Sequence, residues 1–343
     1  MGTEGWPDAR EWRGLLPSLL AKARLGADAP VRIEPLSGGV SSDIVAVTLQ
    51  SGRMVCAKRA LSQLKVAGDW QAPVERNHYE VAYLEAVGEI VPGFVPRVLA
   101  EDEAHGIALL DYLPPARFAP WKGELLAGRL DTRVAPALGR RLGAVHAASW
   151  GRTDFAREFA TDALFDALRL DPYLRVTAER IPDLARPILE RLEETAATHL
   201  SLVHGDVSPK NILVDRVDGH PVLLDAECAW YGDPAFDAAF LVNHLLLKAM
   251  HVPAIRVGLL DAARGFFAAW IAALPGPAQA ATEKRVAGLV GCLMLARVDG
   301  KSPVEYLDAT ARAKARSLAR GLIVRTPPNV AALIAHFGVG LSA

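Results

Sequence analysis

Between Leu202 and Asp237 the chain reads LVHGDVSPKNILVDRVDGHPVLLDAECAWYGDPAFD, and no other stretch limits the fold as strongly. Two short apolar, β-prone runs, Ile212 to Val214 and Val222 to Leu224, flank a polar turn at Asp218-Gly219, which predicts a hairpin. Asp206 and Asn211 precede the first run, and Asp225 and Glu227 lie at and just beyond the end of the second. Pairing the runs therefore gathers four oxygen-bearing side chains at one end. Hard Mg²⁺ takes carboxylate and amide oxygens together with substrate phosphates, and a carboxylate outside the metal shell can orient or deprotonate an attacking hydroxyl. An ordinary acidic hairpin with His204 packed in the core would explain single members of this set, but not all of them in this order.

His204-Gly205-Asp206, then Asn211 five residues after the aspartate, then Asp225, resemble the catalytic loop and metal-binding aspartate of the protein-kinase-like small-molecule kinases. These are the aminoglycoside phosphotransferases, choline kinases and 5-methylthioribose kinases. Gly232-Asp233-Pro234, with Asp237 opening an apolar helix, continues as that superfamily does. The resemblance implies an α+β, protein-kinase-like two-lobed fold. Residues 1–113 would form an N-lobe with an antiparallel sheet and one helix, and residues 114–343 a larger, mainly helical C-lobe. It also implies ATP and Mg²⁺ as cofactors, Asp206 as the catalytic residue, Asn211, Asp225 and Glu227 as metal ligands, and His204 and Asp237 as structural braces of the loop.

The upstream sequence supplies candidates for the nucleotide. Ser37, Gly38, Gly39, Val40 and Ser41 sit between strand-like runs at Val31 to Leu36 and Ile44 to Leu49, where a backbone poor in side chains can bring its amides to phosphates. The protein-kinase spacing GxGxxG is absent. Arg53 to Lys58 alternates as a strand ending on Lys58, and Glu80 and Leu84 share one face of the next helix. The resemblance makes Lys58 the phosphate lysine and Glu80 its partner, with Arg59, Lys65 and Glu75 as alternatives. It makes Leu110, Asp111, Tyr112 and Leu113 the hinge that pairs with adenine.

Within the superfamily, Lys58 to Leu61 followed by Leu64 to Trp70, together with Asp225-Ala226-Glu227, is most similar to 5-methylthioribose kinase. There a tryptophan-bearing loop lies over the active site, so Asp69 and Trp70 are substrate candidates, Trp70 serving as a lid or as a core plug. Arg297 falls near where those kinases carry an arginine pair facing the substrate, but only one arginine is present, and a helix-terminal arginine can instead bond its own last carbonyls. Asn211 stands where those kinases usually have serine, as in the aminoglycoside enzymes. The acceptor implied is a hydroxyl of a sugar-like metabolite similar to methylthioribose. An aminoglycoside or amino alcohol is the alternative and would want an acidic C-lobe pocket. A nucleotide-binding pseudokinase is the reading from another class.

Composition sets outer limits. With 343 residues, 51% hydrophobic, 22% charged and a formal net charge of −1, the chain can build a core and has no electrostatic drive toward nucleic acid or an anionic membrane. Cys56, Cys228 and Cys292 are far apart and form no CxxC pair, which points to a reducing cytosol. A cytoplasmic enzyme with a small-molecule substrate and no nucleic-acid or membrane partner is expected, a homodimer being left open. After Asp237 helices are expected over 237–250, 255–274, 278–297, 302–322 and 328–338.

Overall fold

The structure, a computed structural model, describes residues 9–36, 42–61 and 75–342. The chain forms two compact units, Met1–Ala116 and Arg117–Ala343.

The first unit is built on an antiparallel sheet of β1 (Pro30–Pro35), β2 (Ser42–Leu49), β3 (Met54–Ala60), β4 (Val98–Asp102) and β5 (Ile107–Asp111), in the order β1-β2-β3-β5-β4. Alternation along the strands sends Val45, Val47, Leu49, Val55, Ala57, Ile107 and Leu109 to one face, where α1 (Ala9–Lys22) covers them with Trp12, Leu16, Leu19 and Leu20. In the sequence, Trp12, Leu15, Leu16, Leu19 and Leu20 fall at helical spacing, which is the stripe that packs here. A second helix, α2 (Arg76–Ile90), follows β3. By sequence, Val95 to Leu99 and Gly106 to Leu113 read as one strand breaking into a connector; the structure instead forms two strands there, because Gly106 in a left-handed turn (φ +60°) reverses the chain after a single 3₁₀ turn.

The second unit begins with β6 (Phe118–Pro120), α3 (Trp121–Leu126), α4 (Val134–Ser149), α5 (Thr153–Glu158) and α6 (Asp162–Phe165). A π-helical run over Asp166–Arg175 then passes into α7 (Val176–Arg180), followed by α8 (Ala185–Ala196). Next come β7 (Ser201–Val203), β8 (Ile212–Asp215), β9 (Pro221–Leu223) and β10 (Trp230–Gly232). The predicted hairpin is present, with Ile212 opposite Leu223 and Leu213 opposite Val222, and β6 adds to its β8 edge through Ala119 opposite Val214. A separate antiparallel pair, β7 with β10, brackets the stretch that holds this hairpin.

Five helices complete the unit: α9 (Ala235–His251), α10 (Arg256–Ala273), α11 (Gly276–Asp299), α12 (Ala309–Val324) and α13 (Val330–Ser342). The segment 302–308, expected to be helical, is not; α12 starts only where Asp308 accepts from the Ala311 amide as its N-cap. Every residue of α9 from Ala235 to Met250 is buried, the pattern of a central helix with no solvent face. Beside it, α4 crosses α10 very closely. A Cβ on Gly139 would stand 2.3 Å from the Phe266 carbonyl oxygen, and one on Gly143 2.7 Å from Ala273 Cβ. Only glycine tolerates that approach, and it brings His146 of α4 against Trp270 of α10. No single described helix is long and apolar enough to cross a membrane.

Candidate active site

In the first unit, Lys58 on β3 and Glu80 on α2 form a buried pair, with Lys58 Nζ 2.8 and 2.7 Å from the two Glu80 carboxylate oxygens. They are 5% and 3% exposed. A lysine on an interior strand is held there only if its charge is met, and Glu80 meets it. The alternatives point elsewhere: Arg59 bonds Glu11 and Asp43, and Glu75 is exposed at the start of α2. Leu110 and Asp111 belong to β5, where the Asp111 amide donates to the Arg97 carbonyl at 2.9 Å. Of the hinge candidates only Tyr112 and Leu113 lie beyond the strand, and among the described residues neither makes a backbone hydrogen bond. The remaining alternative, Lys65, and two groups of candidates, Ser37 to Ser41 and Asp69 with Trp70, fall outside the described residues.

In the second unit the loop from His204 to Asn211 is organised by buried Asp237. Its two carboxylate oxygens each accept a backbone amide at 2.8 Å, one from His204 and one from Gly205. Gly205 has φ +79°, and a Cβ there would lie 2.7 Å from the Cys228 carbonyl oxygen, so the turn into Asp206 requires glycine. His204 Nδ1 accepts from the Asp206 amide at 3.1 Å, which leaves Nε2 to donate to the Leu224 carbonyl, also at 3.1 Å. Burial holds this imidazole below its ordinary pKa and so neutral. His204 thus ties the loop that carries Asp206 to the residue before Asp225.

His146 lies in a run with apolar residues at helical spacing (Leu138, Leu142, Val145), where sequence alone reads it as a packed residue, and it is also part of this brace. Trp270 Nε1 donates to His146 Nδ1 at 2.9 Å, leaving Nε2 directed at Asp237 at 3.3 Å. The glycine-enabled crossing of α4 and α10 thereby reaches the catalytic loop through one imidazole and one carboxylate.

Asp206 is 4% exposed. Its Oδ2 is 2.9 Å from the Arg169 guanidinium and 2.9 Å from Lys210 Nζ. Burial pushes its carboxyl up, but Lys210 and Arg169 more than offset this and leave it below the usual carboxylate range. Arg169 also donates through Nε to the Gly205 carbonyl. Sequence reasoning missed both cations. Lys210 was discernible from its position four residues after Asp206, whereas Arg169 comes from the π-helical run with no local signal.

Asn211 donates Nδ2 to the Asp206 carbonyl at 3.1 Å, and its own backbone carbonyl accepts the Leu224 amide at 2.8 Å. Its side-chain oxygen accepts from no donor among the described residues. Asp225 is left-handed at φ +68°, uncommon for a residue other than glycine and tolerated by aspartate. That conformation brings its carboxylate within 4.8 Å of the Glu227 carboxylate. Two carboxylates and a spare amide oxygen are the hard donor set that Mg²⁺ takes. Arg297, in the last turn of α11, donates to the Ser302 carbonyl and hydroxyl just past the helix, and its guanidinium carbon lies 5.9 Å from the Tyr173 ring centroid.

The family model for the phosphotransferase enzyme family matches residues 32–284. The chain is 25% identical over 237 residues to a methylthioribose kinase of Geobacillus sp. (strain WCH70), covering 60% of this chain and 57% of that protein. It is 27% identical over 221 residues to one of Bacillus pumilus, covering 56% of this chain and 54% of that protein. It therefore spans little more than half the length of these curated relatives. Among solved structures it is similar to a Plasmodium vivax ethanolamine kinase, with TM-score 0.54 and 9% identity over 84% of this chain and 82% of that one. A Thermobifida fusca structure assigned to a fructosamine-3-kinase gives TM-score 0.53 and 17% identity over 90% and 99%. With these kinase structures the chain shares a protein-kinase-like fold, and by the family match it belongs to the phosphotransferase enzyme family.

Proposed function

We propose that the chain is an ATP-dependent kinase that transfers the γ-phosphoryl group to a hydroxyl of a small, sugar-like metabolite. The observation that carries this reading is Asp206, a buried carboxylate kept ionised by Arg169 and Lys210 beside the oxygen set of Asn211, Asp225 and Glu227. Phosphoryl transfer through a loose transition state asks the protein mostly for positioning and charge neutralisation, not for a strong base. A carboxylate with a lowered pKa suits that role: it accepts a hydrogen bond from the acceptor hydroxyl, aims the oxygen, and takes the proton late. Lys58, oriented by Glu80, is assigned to the nucleotide phosphates, and Tyr112 and Leu113 to the adenine edge. Asn211, Asp225 and Glu227 would hold Mg²⁺, which supplies neutralisation of the phosphate charge when bound. The sugar-like acceptor is supported by the methylthioribose kinase relatives.

The test is ADP production against a panel of sugars, sugar acids, amino alcohols and aminoglycosides, with Mg²⁺ titrated for the parent protein, Asp225→Ala and Glu227→Ala. Asp225→Ala is expected to raise the Mg²⁺ requirement steeply or to remove turnover. An unchanged Mg²⁺ dependence takes Asp225 out of the metal shell. Nucleotide binding without ADP production from any acceptor favours a pseudokinase.

A further inference from the structure

Next to the catalytic carboxylate lies a second cluster of charge that the transfer chemistry does not use. Lys248 is 2% exposed, in the last turn of α9. Its Nζ stands 4.8 Å from the Tyr306 ring centroid, and among the described residues no carboxylate contacts it. One turn earlier on the same helix face is buried His244. From α11 comes Arg297, whose Nε is buried without a hydrogen-bond partner, as is the Tyr306 hydroxyl. No carboxylate contacts Arg297 among the described residues either. The nearby acid, Glu305, is engaged by Lys122 at 2.5 Å.

The cluster adjoins the catalytic residue through one ring. Tyr173 has the Arg297 guanidinium carbon 5.9 Å from its centroid and that of Arg169, which holds Asp206, also at 5.9 Å. Burial, reinforced by Lys122 and Arg297 and only partly opposed by Glu305, brings the Lys248 amine down to about 7, and burial with the surrounding cations Arg297, Lys248, Lys210 and Lys122 holds His244 well below its ordinary range. Buried cations without counter-charge are costly unless something meets them. A cationic acceptor such as an amino alcohol or aminoglycoside would add to the cost, and a neutral sugar would leave it standing.

We propose that the phosphoryl acceptor carries an anionic group, a carboxylate or a phosphate, besides the hydroxyl that reacts, and that Lys248 and Arg297 receive that group beside Tyr306. The proposal rests on the kinase reading and names its substrate class. Lys248 supplies a point charge and Arg297 a partly free guanidinium edge, while neutral His244 can accept or donate one further hydrogen bond. Seating an anion draws the Lys248 amine back toward its charged form, so binding near neutral pH takes up protons.

Matched acceptors decide it: ribose, ribonate, ribose 5-phosphate and ethanolamine, assayed by ADP production with the parent protein, Lys248→Met and Lys248→Arg. At least one anionic acceptor is expected to exceed ribose about tenfold or more in kcat/KM, with the advantage shrinking as salt is raised. Ribonate against ribose 5-phosphate tells carboxylate from phosphate. In Lys248→Met the ratio of anionic to neutral kcat/KM should fall about tenfold while the KM for ATP holds, and Lys248→Arg should restore most of it. Faster turnover of ribose or ethanolamine, or an unchanged ratio in a Lys248→Met protein with a normal thermal melt, overturns the proposal. If no acceptor yields ADP, calorimetry with inorganic phosphate and acetate in two buffers still decides. Binding with proton uptake that Lys248→Met abolishes keeps the anion site and rejects the kinase reading, whereas no binding rejects the site.

Discussion

Two buried lysines, one in each unit, show opposite solutions to the same physical problem. Lys58 is 5% exposed and Lys248 is 2% exposed, so each gives up most of its hydration. Lys58 recovers it from both oxygens of Glu80 and stands as a closed pair. Lys248 has a ring face instead of a carboxylate, and its amine is brought down to about 7. The Asp206 carboxylate follows the first pattern, since Arg169 and Lys210 close its charge. Closed charges set geometry in advance of the reaction, whereas an open charge is a demand for something yet to bind.

The sharpest way to break the comparison is at Asp206. Asp206→Asn keeps the shape but removes the negative charge that orients and accepts from the hydroxyl, and turnover should fall about 10²–10⁴-fold. Nucleotide affinity, measured by calorimetry, should hold. Near-normal turnover would remove Asp206 from the reaction.

Breaking the closed pair comes next. Lys58→Met removes the ammonium that contacts both oxygens of buried Glu80, which should cost about 3–5 kcal/mol of stability in denaturant unfolding. Adding Glu80→Gln should recover much of that loss, while ATP-dependent turnover stays impaired in both proteins. Single and double variants of equal stability would mean that the pair does not act as one unit.

Opening the closure around Asp206 should have a subtler effect. With Lys210 and Arg169 present its carboxyl lies below the usual range, so Asp206 stays ionised down to acidic pH and sets no activity loss near neutrality. Lys210→Met removes one of the cations that lower it, so the acid limb of kcat/KM should move to higher pH. An acid limb that does not move, in a variant still active, would show that Lys210 does not govern Asp206.

The last effect, visible only as a dependence on pH, is on stability at Lys248. Its folded pKa, about 7, is below its unfolded value of 10.5, so the unfolded chain binds more protons between those limits and the stability contribution rises with pH across that window. Lys248→Met removes this dependence. The variant should therefore be more stable than the parent by the largest margin at or below pH 7, with the margin shrinking as pH rises toward 10. A margin independent of pH would indicate that Lys248 is solvated or paired in the folded protein.

Local spacing on its own determined the hairpin at Ile212 to Leu223, the grouping of Asp206, Asn211, Asp225 and Glu227 around it, the strand that carries Lys58, though it runs two residues further to Ala60, and the helix that carries Glu80. Strand alternation and helical periodicity specify which element bears a residue and which face it takes, and these groups are separated by few residues or by one repeatable turn. The extra β4 and the non-helical 302–308 were lost because a left-handed glycine and an N-cap outweigh apolar patterning over a few residues. Only the tertiary structure decided how the charges are met. Arg169 reaches Asp206 from 37 residues upstream, and His146 reaches Asp237 from 91 residues upstream because Gly139 and Gly143 let two helices nearly touch. Lys248 near the end of a helix reads locally as a solvated residue. It is a buried cation with no carboxylate in contact among the described residues because α9 is enclosed on every side and the segment after α11 places Tyr306 against it, with Glu305 acting only from farther off. Coulomb energies depend on distance and desolvation, and both are fixed by packing between elements far apart in the chain.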